Sequence, residues 1–370
     1  MQLSIALRPR KLDDIYGQSA IVKQLKNRFS KGEVGQATLL KGMTGTGKTT
    51  IAQIIAMTLN CSNRKTTGEL ITNPIHLSKE VDPCGKCPSC LSISEERFDR
   101  NTVRLDGSIA GKDDVVDFSS MVDGAPMYDK NKVFIIEEAD QLSVKAKNAL
   151  LKLIEKPMKN VYFILLSMVA NGIPKAIQDR CQSYNFWAFS KKDVMLALQS
   201  DLKRIRLWGK EGIPATFYTD VIPAVAESSQ GSLRSAIQAV DSCLAGEFYT
   251  LEEARQNLGI VSGAVINEMI LNLLDVKPAF FTAMEDVDLQ EFFNLSYAIL
   301  AGAVSYRITQ KTKNEYYEEQ TKALSEHQNL FDLLKVFDDI QSLPYLKKSY
   351  VISRFAQYYI SKKGRRIVEE

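Results

Sequence analysis

The stretch Ala37-Thr38-Leu39-Leu40-Lys41-Gly42-Met43-Thr44-Gly45-Thr46-Gly47-Lys48-Thr49-Thr50-Ile51-Ala52 decides the fold. An apolar run short enough for a buried strand, Ala37 to Leu40, leads into a glycine-rich loop, and Thr50 to Leu59 reads as the helix that follows. In such a loop the glycines let backbone N–H groups curl round a chain of phosphates. Lys48 adds positive charge, and Thr49 offers a hydroxyl to Mg²⁺. The helix directs its positive end at the same anion. Nucleotide binding is therefore expected at Gly42, Thr44, Gly45, Thr46, Gly47, Lys48, Thr49 and Thr50.

Outward from the loop, strand-like runs alternate with helical patterns from Ile5 to about Ser190. Two further buried strands are expected at Lys132–Ile136 and Val161–Leu166, with a helix from Ser143 to Lys156 between them that Pro157 stops. That alternation predicts an α/β core, a parallel sheet covered by helices. Beyond Ser190 the pattern is helical, broken at Gly212-Ile213-Pro214 and Gly231, and from about Thr250 onward only Pro278 and Pro344 interrupt it. The expected domains are a nucleotide-binding core over 1–190 with a cysteine module inserted at 61–90, a helical lid over 191–247, and a helical domain over 248–370.

Composition narrows the function classes. The chain of 370 residues carries a net charge of only +3, so any nucleic-acid surface must come from a local arrangement of Lys and Arg. No apolar run approaches the length of a membrane span, and Met1 to Arg10 lacks the apolar core of a signal peptide, so an intracellular, cytoplasmic protein with no membrane partner is expected. The pairs Lys362-Lys363 and Arg365-Arg366 read as a short solvated basic end.

Four of the six cysteines cluster as Cys61…Cys84-x2-Cys87-x2-Cys90. Soft thiolates in fours suit Zn²⁺, and a filled tetrahedral set leaves no position for water, so the expected site is structural. Unligated core cysteines and an iron–sulfur cluster are the competing readings, and His76 is an alternative to Cys61 as a ligand. Cys181 and Cys243 read as isolated buried thiols. The strand ending at Ile136 opens onto Glu137-Glu138-Ala139-Asp140, where Glu138 is expected to orient and activate water and Glu137 to reach a Mg²⁺ ion. A solvated acidic strand end is the alternative. Arg180, read as following the last core strand, and Arg234, opening a helix, are each compatible with phosphoryl-transfer chemistry or with a surface salt bridge.

These residues together resemble the ATPase subunit of bacterial-type DNA polymerase sliding-clamp loaders, the gamma/tau family of AAA+ proteins. Similarity runs from about Leu7 to Ala245. Arg8-Pro9 and Gly17-Gln18 are similar to the family's adenine-pocket motif, with Leu7 in place of Tyr. Asn60-Cys61 and the three later cysteines resemble its zinc module, with a longer insertion between them. Leu142-Ser143, Asn148-Ala149-Leu150-Leu151-Lys152 and Glu155-Lys156-Pro157 resemble its most specific helix.

The resemblance implies a DNA-dependent ATPase that takes ATP, Mg²⁺ and Zn²⁺. It makes Arg180 a finger into a neighbouring subunit's ATP site and Arg234 a lid residue that senses the γ-phosphate. Ser167 lies near the family's sensor position, where Met168 and Glu137 depart from the pattern and imply slow hydrolysis. It further implies a collar formed by the helical tail, and as partners the other subunits of a pentamer, a sliding clamp and primer–template DNA, with Lys145 and Lys147 as candidate phosphate contacts or merely a solvated helix face. The divergence at otherwise typical motifs, with a compact length, is compatible with a bacteriophage-encoded loader in a host cytoplasm. The rivals are a non-hydrolysing scaffold subunit of the delta-prime kind and another AAA+ DNA-remodelling ATPase.

Overall fold

The computed structural model describes residues 3–63, 82–96, 101–108, 131–156, 158–169, 172–207, 210–258, 263–284, 289–310, 318–341 and 348–369. The sequence features His76, Pro157 and Pro344 lie outside the described residues. The chain divides into two compact units, Met1–Phe189 with Ser232–Arg234, and Ser190–Gly231 with Ser235–Glu370.

The first unit runs α1 (Leu3–Ala6), α2 (Ser19–Lys31), β1 (Ala37–Lys41), α3 (Lys48–Asn60), α4 (Pro88–Ser94), β2 (Thr102–Asp106), β3 (Lys132–Glu137), α5 (Val144–Glu155), β4 (Val161–Ser167), α6 (Lys175–Gln178) and β5 (Gln182–Asn185). The strands form one sheet in the order β2-β3-β4-β1-β5, with every neighbouring pair parallel. Parallel pairing requires crossovers, and these lay helices over both faces. On one face Leu40, Val133, Ile135, Ile164 and Leu166 pack against Ile51, Ile54 and Ile55 of α3. On the other, Leu39, Phe134, Ile136, Phe163 and Leu165 meet Ala146, Leu150 and Ile154 of α5. The alternation along each strand decides which side chain reaches which face.

The sequence pattern reveals the three central strands and neither edge. β2 reads Thr-Val-Arg-Leu-Asp and β5 reads Gln-Ser-Tyr-Asn, with polar residues interleaved because an edge strand is less completely covered. Arg180 therefore does not follow the last strand of the sheet. It sits in the turn before β5, a correction to the sequence reading. The helix expected at Ser143 to Lys156 is α5, and Ser143 caps it: its hydroxyl oxygen accepts from the Ala146 N–H at 3.2 Å.

The second unit is helical: α7 (Lys191–Arg204), a π-helical turn at Phe217–Val221 leading into α8 (Ile222–Ser228), then α9 (Leu233–Gly246, whose first two residues belong to the first unit), α10 (Leu251–Leu258), α11 (Gly263–Leu274), α12 (Ala279–Ala283), α13 (Leu289–Thr309), α14 (Glu318–Ser325), α15 (Leu330–Gln341) and α16 (Lys348–Glu369). Its later helices close on a phenylalanine cluster. The Phe355 ring lies 5.2 Å from Phe280 and from Phe337, 6.1 Å from Phe293 and 6.2 Å from Phe292, spacings at which aromatic rings attract beyond their area of burial. Lys362 is not part of a solvated basic end. Its side chain is 11% exposed and donates to Asp332 at 2.6 Å and Asn329 at 2.9 Å, because its aliphatic stem packs inward while the ammonium finds a carboxylate. Among the described residues no helix is long and apolar enough to cross a membrane.

Candidate nucleotide site and cysteine centre

The chain leaves β1 at Lys41 and turns through Gly42–Gly47 into α3. Gly47, at φ +95°, caps that helix, and a Cβ placed on it would meet nothing within 4 Å. The loop thus offers an open cradle where the N-terminal N–H groups of α3 converge, the geometry that receives a phosphate. Lys48 is buried, and its Nζ donates to the carbonyls of Gly42 at 2.6 Å and Met43 at 2.8 Å, so the ammonium folds back over the loop. Burial pushes that ammonium below the ordinary lysine range, and the charge of Asp140 offsets part of the effect. Thr49 and Thr50 sit half-buried on the first turn of α3, and the Thr46 hydroxyl donates to the Met43 carbonyl at 2.7 Å. The Thr44 hydroxyl lies 2.8 Å from the Met168 sulfur.

Next to the loop, Gly17 turns at φ +66° and the Gln18 amide donates to the Trp187 carbonyl at 2.8 Å and the Thr46 carbonyl at 3.5 Å. Pro9 is half-buried. The Leu233 N–H donates to the Gly45 carbonyl at 3.1 Å, and a Cβ on Gly45 would lie 3.3 Å from the Cβ of Arg234. Arg234, exposed, is thereby set beside the loop.

The acidic residues gather at the carboxyl end of β3. Alternation puts Glu137 on the α3 face with Val133 and Ile135. Glu138 follows, exposed, at φ +48°. The Gly107 N–H donates to the Glu137 carbonyl at 2.8 Å, and a Cβ on Gly107 would come within 2.4 Å of the Glu138 carbonyl oxygen. Asp140 accepts from the Met168 N–H at 3.2 Å and so ties the end of β3 to the end of β4. Ser167 is buried; its hydroxyl donates to the Val169 carbonyl at 2.8 Å, and its carbonyl accepts from Gly42 at 3.2 Å. Of the two candidate DNA-contacting lysines, Lys147 donates to the Asp140 carbonyl at 2.8 Å and Lys145 is exposed. Carboxylates at the end of β3, with a threonine hydroxyl on the first turn of α3, are the kinds of oxygen donor a hard divalent cation takes, so these residue types fit a magnesium nucleotide.

A charge relay that the sequence reading misses meets this acidic end. Arg104 pairs in register with Ile135 and shares its face, which sets it diagonal to Glu137. Its guanidinium forks: Nη2 lies 2.8 Å from Glu137 Oε1, and Nη1 lies 3.0 Å from Glu96 Oε2. Glu96 Oε1 also accepts from the guanidinium of Arg8 and from Gln53 Nε2 at 3.2 Å, while Arg8 donates to Gln53 Oε1 at 3.2 Å. The guanidinium of Arg8 is thus directed to Gln53, buried on α3, and to Glu96. Burial opposes ionisation of Glu96, but Arg8 and Arg104 hold its carboxyl below the ordinary glutamate range. Asp140 lies within the acidic segment visible in the sequence, whereas Arg104 and Glu96 carry no local signal.

The four clustered cysteines converge. Their sulfurs all lie within 4.8 Å of one another, and Cys84 and Cys90 are 4.0 Å apart. A tetrahedral zinc with Zn–S bonds of about 2.3 Å holds its sulfurs ~3.8 Å apart, so the donor set fits Zn²⁺ with cysteine as the fourth ligand from the end of α3. Backbone N–H groups of Lys86 and Cys87 point at Cys84 Sγ at 3.4 and 3.3 Å, and that of Cys84 points at Cys61 Sγ at 3.3 Å. Burial would raise the Cys87 thiol, but N–H donors from Cys90 and Ser62 and the adjacent thiols bring it down to about 6, near the thiolate form a metal binds. Cys243 is buried and Cys181 half-buried, and burial pushes these thiols up to about 11 and about 12. Arg180 makes a surface ion pair, Nη2 to Glu155 Oε1 at 2.8 Å, and donates to the Ala176 carbonyl at 2.9 Å.

A family model described as DNA polymerase III, delta subunit, matches residues 17–190. The DNA polymerase III subunit tau of Bacillus subtilis is 29% identical over 271 residues, 72% of this chain and 44% of that protein. Subunit gamma of Buchnera aphidicola from Acyrthosiphon pisum is 32% identical over 240 residues, covering 64% of this chain and 60% of its own length. The chain is similar to the gamma and tau subunits of DNA polymerase III. Its first unit carries a parallel five-stranded sheet covered by helices. The chain spans 44% to 60% of the length of those two relatives. Among solved structures, the Thermotoga maritima RuvB Holliday junction branch migration motor is similar at 16% identity and a TM-score of 0.45, over 89% of this chain and 91% of that one.

Proposed function

We propose that this chain is a gamma/tau-type ATPase subunit of a DNA polymerase clamp loader, which uses ATP binding and hydrolysis to place a sliding clamp on primer–template DNA. The observation that carries the reading is Lys48, buried and folded over an open glycine cradle with Glu137, Glu138 and Asp140 at the same end of the sheet. In this reading the residues Gly42 to Thr50 hold Mg-ATP, Arg8, Pro9, Gly17 and Gln18 border the adenine, Glu138 orients and activates the attacking water, and Ser167 and Arg234 respond to the γ-phosphate. Arg180 leaves its exposed pair with Glu155, worth at most about 1 kcal/mol, to enter a neighbouring subunit's site. The four cysteines hold zinc as a brace. Residues 191–247 act as the lid and 248–370 as the collar that joins five subunits, and the closed ring grips clamp and DNA until hydrolysis releases them.

The test is ATP turnover by the assembled complex, measured with and without primed DNA and clamp. Turnover stimulated by both and abolished by Lys48→Ala is expected. No turnover, with clamp loading unaffected by Lys48→Ala, sinks the enzyme reading. That outcome would support a second reading, a non-hydrolysing scaffold subunit of the same complex, which the Arg104–Glu137 pair and the methionine following Ser167 favour.

A further inference from the structure

The fork of Arg104 joins two carboxylates that belong to different devices. Glu137 lies on the α3 face of the sheet at the end of β3. Glu96 lies two residues beyond α4, the helix that starts directly after Cys87 and carries Cys90, and its backbone sits at φ +57° with its N–H on the Ile93 carbonyl at 3.2 Å. The cysteine centre thus fixes where Glu96 stands. A guanidinium holds one unit of charge for all its donors, so whatever Glu96 takes is withheld from Glu137. A divalent cation approaching Glu137 meets a carboxylate that is partly neutralised and has Oε1 occupied, and must share it with Arg104 or displace it.

We propose that Arg104 is a positioning residue that sets the divalent-cation requirement of the nucleotide site, competing with the cation for Glu137, and that Glu96 relieves this competition by holding the other branch of the fork. The proposal rests on the reading that Gly42 to Thr49 bind a magnesium nucleotide. It assigns the cysteine knuckle a consequence at the nucleotide site beyond bracing, since the knuckle presents Glu96.

The two carboxylate partners give opposite signatures, which general loss of structure would not. The experiment is equilibrium binding of a fluorescent ATP analogue to the full chain, titrated with Mg²⁺, with zinc content and thermal melting recorded for each variant. Arg104→Gln should lower the Mg²⁺ concentration at half-saturation by roughly fivefold, on the scale of a partly exposed ion pair. Glu96→Gln should raise it by a similar factor, and the double variant should follow Arg104→Gln alone. If only one single variant folds, its direction decides. Midpoints that stay put, or that move the same way in both single variants, overturn the proposal while leaving the nucleotide site intact. A wild-type chain that binds no nucleotide sinks the site reading and this inference together.

Discussion

Glu138 occupies a left-handed backbone conformation at φ +48°, a region that costs a residue bearing a Cβ about 1–3 kcal/mol and persists where neighbours over-determine it. Gly107 is one such neighbour. Its N–H holds the Glu137 carbonyl, and its bare Cα lets the two backbones approach until an added Cβ would sit 2.4 Å from the Glu138 oxygen and 3.0 Å from that of Glu137. Gly107→Ala should therefore displace Glu138, the carboxylate proposed to orient water, without touching the loop. ATP turnover should fall by about tenfold or more, as ångström-scale misplacement of a reacting group does, with nucleotide affinity nearly unchanged. Steady-state turnover beside a binding titration checks this, and an equal loss in both would place the damage elsewhere. The carboxylates Glu137, Glu138 and Asp140 are legible in the sequence as one short acidic segment. That Asp140 fastens onto the Met168 N–H is not, since this contact exists only after β3 and β4 are laid side by side.

At the scale of elements, legibility follows locality. The loop from Gly42 to Thr49 and the Cys84-x2-Cys87-x2-Cys90 run state their chemistry through spacing along the chain. Strands β1, β3 and β4 are buried on both faces and show as apolar runs, whereas β2 and β5 lie at the sheet's edges and hide among polar residues. Arg104 is invisible for the same reason twice over: its strand is an edge strand, and its partner is chosen by register. The knuckle itself should behave as an element folded by its metal. Purified chain is expected to carry about one zinc, and Cys87→Ser, which removes the thiolate of lowest affinity for its proton, should lose most of it and melt earlier, because metal affinity is folding energy in such sites. Metal analysis alongside thermal melting checks this; a fully metallated Cys87→Ser chain would rule the cysteine out as a ligand.

At the scale of the whole molecule, the two units rest on separate cores, apolar layers on both faces of the sheet in the first and the phenylalanine cluster in the second. Phe355, fully buried and touching four other rings, is the hub of the second. Phe355→Ala should cost about 3–5 kcal/mol, the usual penalty for emptying such a site. Calorimetry should show one thermal transition moved down, with nucleotide binding by the first unit retained at temperatures below it. A single transition displaced together with loss of nucleotide binding would show the units to be thermally inseparable. The first unit also departs from the order of the chain. It takes residues through Phe189 and then, after an excursion of more than forty residues into the other unit, reclaims Ser232–Arg234, whose Leu233 N–H closes on Gly45. Folding continuity and covalent continuity therefore part company here. A fragment ending at Phe189 holds all five strands and the whole loop but lacks the Leu233 contact to Gly45, and a peptide cut anywhere between 190 and 231 leaves two pieces that still share that contact across the break.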